Sequence, residues 1–232
     1  MQRILYDFLN LFYPAVCLAC GTHLLRHEKT ICTHCYVRLP KTQYHLELNN
    51  PIARIFWGRA PVVSATAYFH FEKQSNVQNL IHNLKYKGHQ EIGITIGEMM
   101  GEELLASEIY GKIEAILPVP LHPAKQQLRG YNQASAFAEG LSLGMGLPFY
   151  DNVLLRKVFT QTQTRKTRIE RWQNVAEAFV VDTAPLGNAK NLLLVDDVIT
   201  TGATFEACTQ ALMNSVGNAK VYVSAMASAA KI

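Results

Sequence analysis

The chain has no uninterrupted apolar run of about 18 residues, the length a membrane-crossing helix needs, so no membrane span is expected. It has no polybasic tail. Its formal net charge is +4 over 232 residues, too mild for an arm that coats nucleic acid. No GxxxxGK[ST] loop and no GxGxxG fingerprint occur, which excludes the P-loop and dinucleotide modes of phosphate binding. Internal repeats and low-complexity tracts are absent. Five cysteines are too few, in too long a chain, for a secreted disulfide scaffold. The opening stretch MQRILYDFLNLFYPAV is broken by Asp7 and Asn10 and is followed by no clean small-x-small site; it does not read as a cleaved signal. A cytoplasmic location is expected, where clustered thiols signify metal more often than disulfide.

What is present is a full core: 49% of residues are hydrophobic and 17% charged, so wholesale disorder is excluded. Residues 1–13 place Ile4, Leu5, Phe8, Leu9 and Phe12 on a helical stripe. A cysteine-rich stretch follows. Residues 36–60, with Pro40 and Asn49-Asn50-Pro51, read as a linker. From there on, segments alternate in type. Strands are expected at 62–71, 115–120, 153–158, 191–198 and 219–229. Helices are expected at 74–86, 93–105, 131–144 and 204–217. This alternation implies parallel βαβ units and an α/β fold. The expected organisation is an N-terminal helix and metal-binding lobe over 1–45 and an α/β domain over 60–232.

The most informative segment is the apolar run from Leu192 that ends Asp196-Asp197-Val198-Ile199-Thr200-Thr201-Gly202-Ala203-Thr204. A buried strand ends in two carboxylates, a short Thr/Gly turn follows, and a helix begins. N–H groups at a helix N-terminus lack intrahelical partners and face the positive end of the dipole, so they bind anions. Gly202 permits close approach of the backbone, and Thr200, Thr201 and Thr204 add hydroxyls. Asp196 and Asp197 repel a phosphate; they suit sugar hydroxyls or the waters of a divalent cation. A phosphate site beside a diol site describes a ribose 5-phosphate. The alternative is a capped helix in an unrelated α/β protein.

At these residues the sequence resembles the type I phosphoribosyltransferases, α/β proteins with a parallel sheet flanked by helices that bind phosphoribosyl pyrophosphate (PRPP). The resemblance implies that Asp196 and Asp197 hold the ribose 2- and 3-hydroxyls, and that Thr200, Thr201, Gly202, Ala203 and Thr204 cradle the 5-phosphate. Thr200 stands where hypoxanthine-type enzymes carry a carboxylate, which disfavours a hypoxanthine-like activity. A PRPP enzyme must also hold pyrophosphate, with cations, backbone N–H groups and usually magnesium. Two segments are candidates. One is 118–133, which follows a strand and carries Lys125 and Arg129. The other is 156–174, with six basic residues against the single acid Glu170; it reads as a loop that closes over the site and excludes water. The charge of the chain is concentrated there: residues 121–171 carry a local +5. A solvated basic loop is the alternative for both.

Cys17, Cys20, Cys32 and Cys35 form C-x2-C-x11-C-x2-C. Two such pairs offer four thiolates to a tetrahedral, structural zinc, although the spacer is shorter than usual. A redox dithiol is the alternative. Cys208 reads as a buried core thiol.

With this cysteine set ahead of the strand–turn motif, the chain resembles the ComF family. Leu11-Phe12-Tyr13-Pro14, the stretch from Leu80 to Gly88 (LIHNLKYKG), Arg129-Gly130-Tyr131-Asn132-Gln133, and the spacing of Gln163, Arg171, Asn174 and Phe179 carry the resemblance. Lys166 departs from it, standing where an apolar residue is expected. The resemblance implies a cytosolic protein that handles imported single-stranded DNA in transformation or DNA use, alongside other DNA-uptake proteins. It implies a pyrophosphate and loop set of Lys125, Arg129, Gln163, Arg168, Arg171 and Asn174. Three readings stay open: a phosphoribosyltransferase of unknown acceptor; a PRPP-sensing or single-strand-binding module using Arg165, Lys166, Arg168, Arg171 and Trp172; and an adaptor docking partners through the zinc lobe or the first helix.

Overall fold

A computed structural model describes residues 14–157 and 179–230. The expected helix over 1–13 lies outside them, as does most of the 156–174 loop, with Gln163, Arg165, Lys166, Arg168, Arg171, Trp172 and Asn174.

Four parallel strands form the central sheet in the order β1-β6-β5-β2, where β1 is Val62–His70, β2 Ala115–Pro118, β5 Asn191–Ile199 and β6 Lys220–Ser228. Parallel strands covered on both faces read as continuous apolar runs, as β5 does. Alternate side chains go to opposite faces. Leu193 and Val195 join Ile116, Tyr222 and Met226 under helices α3 (Asn76–Tyr86), α4 (Gln90–Leu105) and α6 (Gln133–Met145). Leu192 and Leu194 join Leu117, Val221 and Val223 under α7 (Ala203–Ser215).

The helices follow from local signals. Ser75 caps α3 by accepting from the Gln78 N–H, and the stripe Val77, Leu80, Ile81 and Leu84 is buried as its spacing predicts. Helix α6 ends at Gly146, whose φ of 66° takes the left-handed cap. Between α4 and α6 the contact is made by backbone. Gly97 and Gly101 face Gly140 and Gly144 so closely that a Cβ on any of the four would lie within 3.0 Å of the opposite main chain.

Two readings of the sequence need correction. The stretch 36–60 is not a linker. It takes in the end of α1 (Thr33–Arg38), a 3-10 turn at Tyr44–Leu46 and α2 (Pro51–Arg54). Ile52, Ala53 and Phe56 are buried against the same core as α7. The Asn50-Pro51 pair that reads as a breaker is a helix start: Asn50 accepts from the Ile52 and Ala53 N–H groups, and Pro51 occupies the first turn. The Asn50 amide, fully buried, also donates to the carbonyls of Tyr44, Glu47 and Ala65. The second correction concerns 153–158. Among the described residues there, Leu154–Arg156 (β3) is the strand, and it pairs antiparallel with β4 (Phe179–Val181), outside the parallel sheet. Its exposed Leu155 shows that it is not buried on both faces.

The cysteine lobe is stitched to the domain. Asn83 and Asn79 of α3 donate to the carbonyls of Leu18 and Ala19, each at 2.8 Å. Ile31, Cys32, Cys35 and Leu39 share the apolar core of α3 and α4. Among the described residues no helix is long and apolar enough to cross a membrane.

Candidate functional site

Period-two alternation sends the two carboxylates at the end of β5 to opposite faces. Asp196 follows Leu192 and Leu194 to the α7 side. There it lines a shallow cavity of about 40 Å³ with residues 198–205. Asp197 follows Leu193 and Val195 to the α3 side and pairs with Lys85 Nζ at 2.9 Å. Burial first, and then the charge of Asp197, push the Asp196 carboxyl up to about 8, against the Asp197 N–H that donates to its Oδ1 at 2.8 Å.

That shift has a stability consequence. An acid whose folded pKa is raised from 3.8 to about 8 binds more protons folded than unfolded between those limits. Stability is then full below the lower value and is lost as pH rises through the upper one. The melting temperature of the wild type is expected to fall from pH 5 to pH 8 more than that of Asp196→Asn, and the variant should be the more stable of the two at pH 9. Parallel pH–melting curves for the two proteins would refute this assignment.

The turn after β5 holds Gly202 at φ 75°, as the N-cap of α7. A side chain there would be strained by conformation and would also meet Ile55 Cγ2 at 2.9 Å and the Phe56 ring at 3.1 Å. The N–H groups in the first turn of α7 have no intrahelical acceptor. Helix α7 is 13 residues long, enough for its dipole to favour an anion at this end. Thr200, Thr201, Ala203 and Thr204 line the same cavity as Gly202.

A second wall stands beside it. Strand β2 runs parallel to β5, and the Val119 N–H donates to the Val195 carbonyl at 2.8 Å, so the segment after β2 emerges next to the turn after β5. This segment forms the short helix α5 (Pro123–Arg129), closed by Gly130 at φ 80°. Asn132 then caps α6. Arg129 donates to Gln133 Oε1 at 2.7 Å and lies over the Tyr86 ring, 5.5 Å from its centroid. Tyr131 donates to the Leu84 carbonyl, and burial pushes its phenol up to about 12. The Leu84-Lys85-Tyr86 end of α3 and Arg129-Gly130-Tyr131-Asn132-Gln133, 45 positions apart in the chain, thus meet at one edge of the sheet. Lys125 is exposed on α5 and faces solvent. A cleft of about 600 Å³ opens on the other side of this segment, between Leu121, Tyr131, Ser135, Glu139 and Asp151.

Sequence reasoning gave no site role to Lys85 or Arg59. Lys85 could have been found as the cation that continues the buried stripe, four residues after Ile81. Arg59 sits in the stretch read as linker, and nothing in its spacing points to the turn that it touches.

The four cysteines converge. All four Sγ atoms lie within 4.8 Å of one another, and all five cysteines of the chain are free thiols. Burial raises Cys17 and Cys35. At Cys20 the Thr22 hydroxyl and N–H, with neighbouring thiols, outweigh burial and bring the thiol down to about 6. The donor set suits a tetrahedral zinc ion, with no position left over for substrate. Cys208 is fully buried on α7, as expected for a core thiol.

No protein-family model matches the chain. It is 37% identical to competence protein F of Haemophilus influenzae over 122 residues, spanning 50% of this chain and about half the length of that protein (51%). It is 27% identical over 219 residues to DNA utilization protein YhgH of Escherichia coli, spanning 93% of this chain and 91% of that one. Among solved structures it is similar to the adenine phosphoribosyltransferase of Leishmania tarentolae, at 12% identity and a TM-score of 0.39, over 82% of this chain and 94% of that one.

Proposed function

We propose that this chain, a homologue of competence protein F and DNA utilization protein YhgH, binds PRPP at the end of β5 and transfers its phosphoribosyl group. One observation carries the reading: the strand ending Asp196-Asp197 runs into a Gly202-capped helix N-terminus beside a wall bearing Lys85 and Arg129. The N–H groups of the turn, with Thr200, Thr201 and Thr204, take the 5-phosphate. Asp196 and Asp197 receive the ribose hydroxyls. Lys85, Arg129 and Lys125 take the pyrophosphate. The carboxylates also fit the waters of a magnesium ion, which neutralises the leaving group when bound. A nucleophile forms its bond to the anomeric carbon as the bond to pyrophosphate oxygen breaks, and pyrophosphate leaves with that electron pair. The names of the relatives support a role in competence or DNA utilization; the reading adds single-stranded DNA as a macromolecular partner.

Calorimetry with PRPP and magnesium tests the binding step. Asp197→Asn is expected to weaken binding at least about tenfold, the equivalent of roughly 1.4 kcal/mol, because it replaces a charged ribose acceptor by a neutral amide that also presents N–H groups to the site. Absence of PRPP binding by the wild type would overturn the proposal. Labelled PRPP that binds but is never consumed, with bases or single strands present, would reduce the protein to a PRPP sensor.

A further inference from the structure

A cation that touches the turn after β5 lies outside every motif read from the sequence. Gly58, at φ 69°, turns the chain after α2, and Arg59 reaches across 142 positions to the turn. Its Nη1 donates to the Thr201 carbonyl at 2.9 Å and to the Ile55 carbonyl at 3.2 Å. Its Nη2 donates to Glu206 Oε2 at 2.6 Å. Thr201 precedes Gly202, and Glu206 lies in the first turn of α7. One planar guanidinium therefore ties the two sides of the turn together, a task suited to the fixed fork of arginine.

Peptide planarity gives this contact its meaning. The Thr201 C=O and the Gly202 N–H belong to one rigid trans unit and point in opposite directions. Holding the carbonyl on Arg59 directs the Gly202 N–H away from Arg59. A peptide next to glycine is the one most easily turned over, since glycine tolerates either sign of φ. Glu206 adds a second hazard. An acid in the first turn of a helix competes with a bound anion for the same N–H groups, and Arg59 both neutralises it and draws it aside. Ile55 and Phe56, packed against Gly202, and the edge-to-face pair Phe56–Phe205, with centroids 6.4 Å apart, seat the latch.

We infer that Arg59 is a positioning residue for the 5-phosphate: it orients the Thr201–Gly202 peptide and withholds Glu206 from the anion site. This rests on the PRPP reading and adds a residue to it. The test uses the full chain and two probes, ribose 5-phosphate and inorganic pyrophosphate. Arg59→Ala is expected to weaken ribose 5-phosphate by about tenfold or more, the size of one charge-assisted hydrogen bond. Pyrophosphate, held at the other wall, should bind as in the wild type. Arg59→Lys should recover only part of the loss. Adding Glu206→Gln to Arg59→Ala should recover part of it by removing the competing charge. Equal binding of ribose 5-phosphate by wild type and Arg59→Ala overturns the latch and leaves the PRPP reading standing. Equal loss of both probes overturns the latch too, since it marks general damage. A wild type that binds neither ribose 5-phosphate nor PRPP overturns both.

Discussion

Replacing Gly140 by alanine is expected to be among the most damaging single-methyl changes this protein can suffer. The added Cβ would lie 2.1 Å from the Ile94 carbonyl oxygen, 2.8 Å from the Glu98 nitrogen and 2.8 Å from the Gly97 Cα. All three are main-chain atoms of α4, so no rotamer change relieves the clash. The helices must separate, and they cannot do so locally. Ile92, Ile96 and Met100 of α4, with Phe137 and Leu141 of α6, are fully buried beside the central sheet. Alanine favours helix over glycine by about 1 kcal/mol, which offsets only part of the cost. Overpacking of a rigid core costs about 1–3 kcal/mol and sometimes more, and here it falls at the top of that range or beyond. At about 2–4 °C per kcal/mol for a chain of this size, the melting temperature should drop by roughly 6–12 °C, or the variant should fail to accumulate as folded protein. Glu139→Ala, on the exposed side of the same helix, should stay within about 0.5 kcal/mol of wild type. A Gly140→Ala melt within a degree or two of wild type would show that the helices are not in backbone contact.

Loss of the metal is expected to have the second large effect. Zinc should copurify at about one equivalent per chain, because four thiols this close meet the usual structural donor set. Cys32→Ser/Cys35→Ser should carry none. In free zinc-finger peptides the metal supplies about 10–16 kcal/mol of folding energy at neutral pH; here part of the lobe is also held by packing, so the penalty should be smaller. It should still reach α3, because Asn79 and Asn83 donate to carbonyls between the first two cysteines. Chelation should therefore lower the melting temperature and speed amide exchange in α3 as well as in residues 15–39. If the metal-free protein melts like the purified one, and all four thiols alkylate at the rate of exposed cysteine, the lobe holds no structural ion.

The elements read correctly were those marked by an unbroken apolar run or a buried helical stripe. Strand β5 is apolar from Leu192 to Val195, and α3 buries the four residues its spacing marks. In each case one local signal has one structural meaning. The failures came where a signal has two meanings. Asn50-Pro51 can end a segment or start a helix, and only the buried carbonyl of Ala65, which Asn50 satisfies, decides between them. The motif around Gly202 could be recognised because it is contiguous. The contacts of Lys85 with Asp197 and of Arg59 with Thr201 span more than a hundred residues, and local pattern carries no information about such pairs. Alternation along β5 could have placed Asp196 and Asp197 on opposite faces from the sequence alone.

The capped turn at Asn50 bears on how such a protein can change over evolutionary time. A metal-binding module joined by a slack tether can be lost, duplicated or exchanged without touching its host. Here the connecting stretch feeds three side chains into the core and one guanidinium onto the turn after β5, so no clean seam exists between residues 50 and 60. Recombination between residues 50 and 59 would part Asn50 from Ala65, and a crossover just after Arg59 would part Arg59 from Glu206 as well. The lobe and the domain are therefore expected to be inherited together, and chimaeras of related chains should keep their function only when the crossover falls outside this interval.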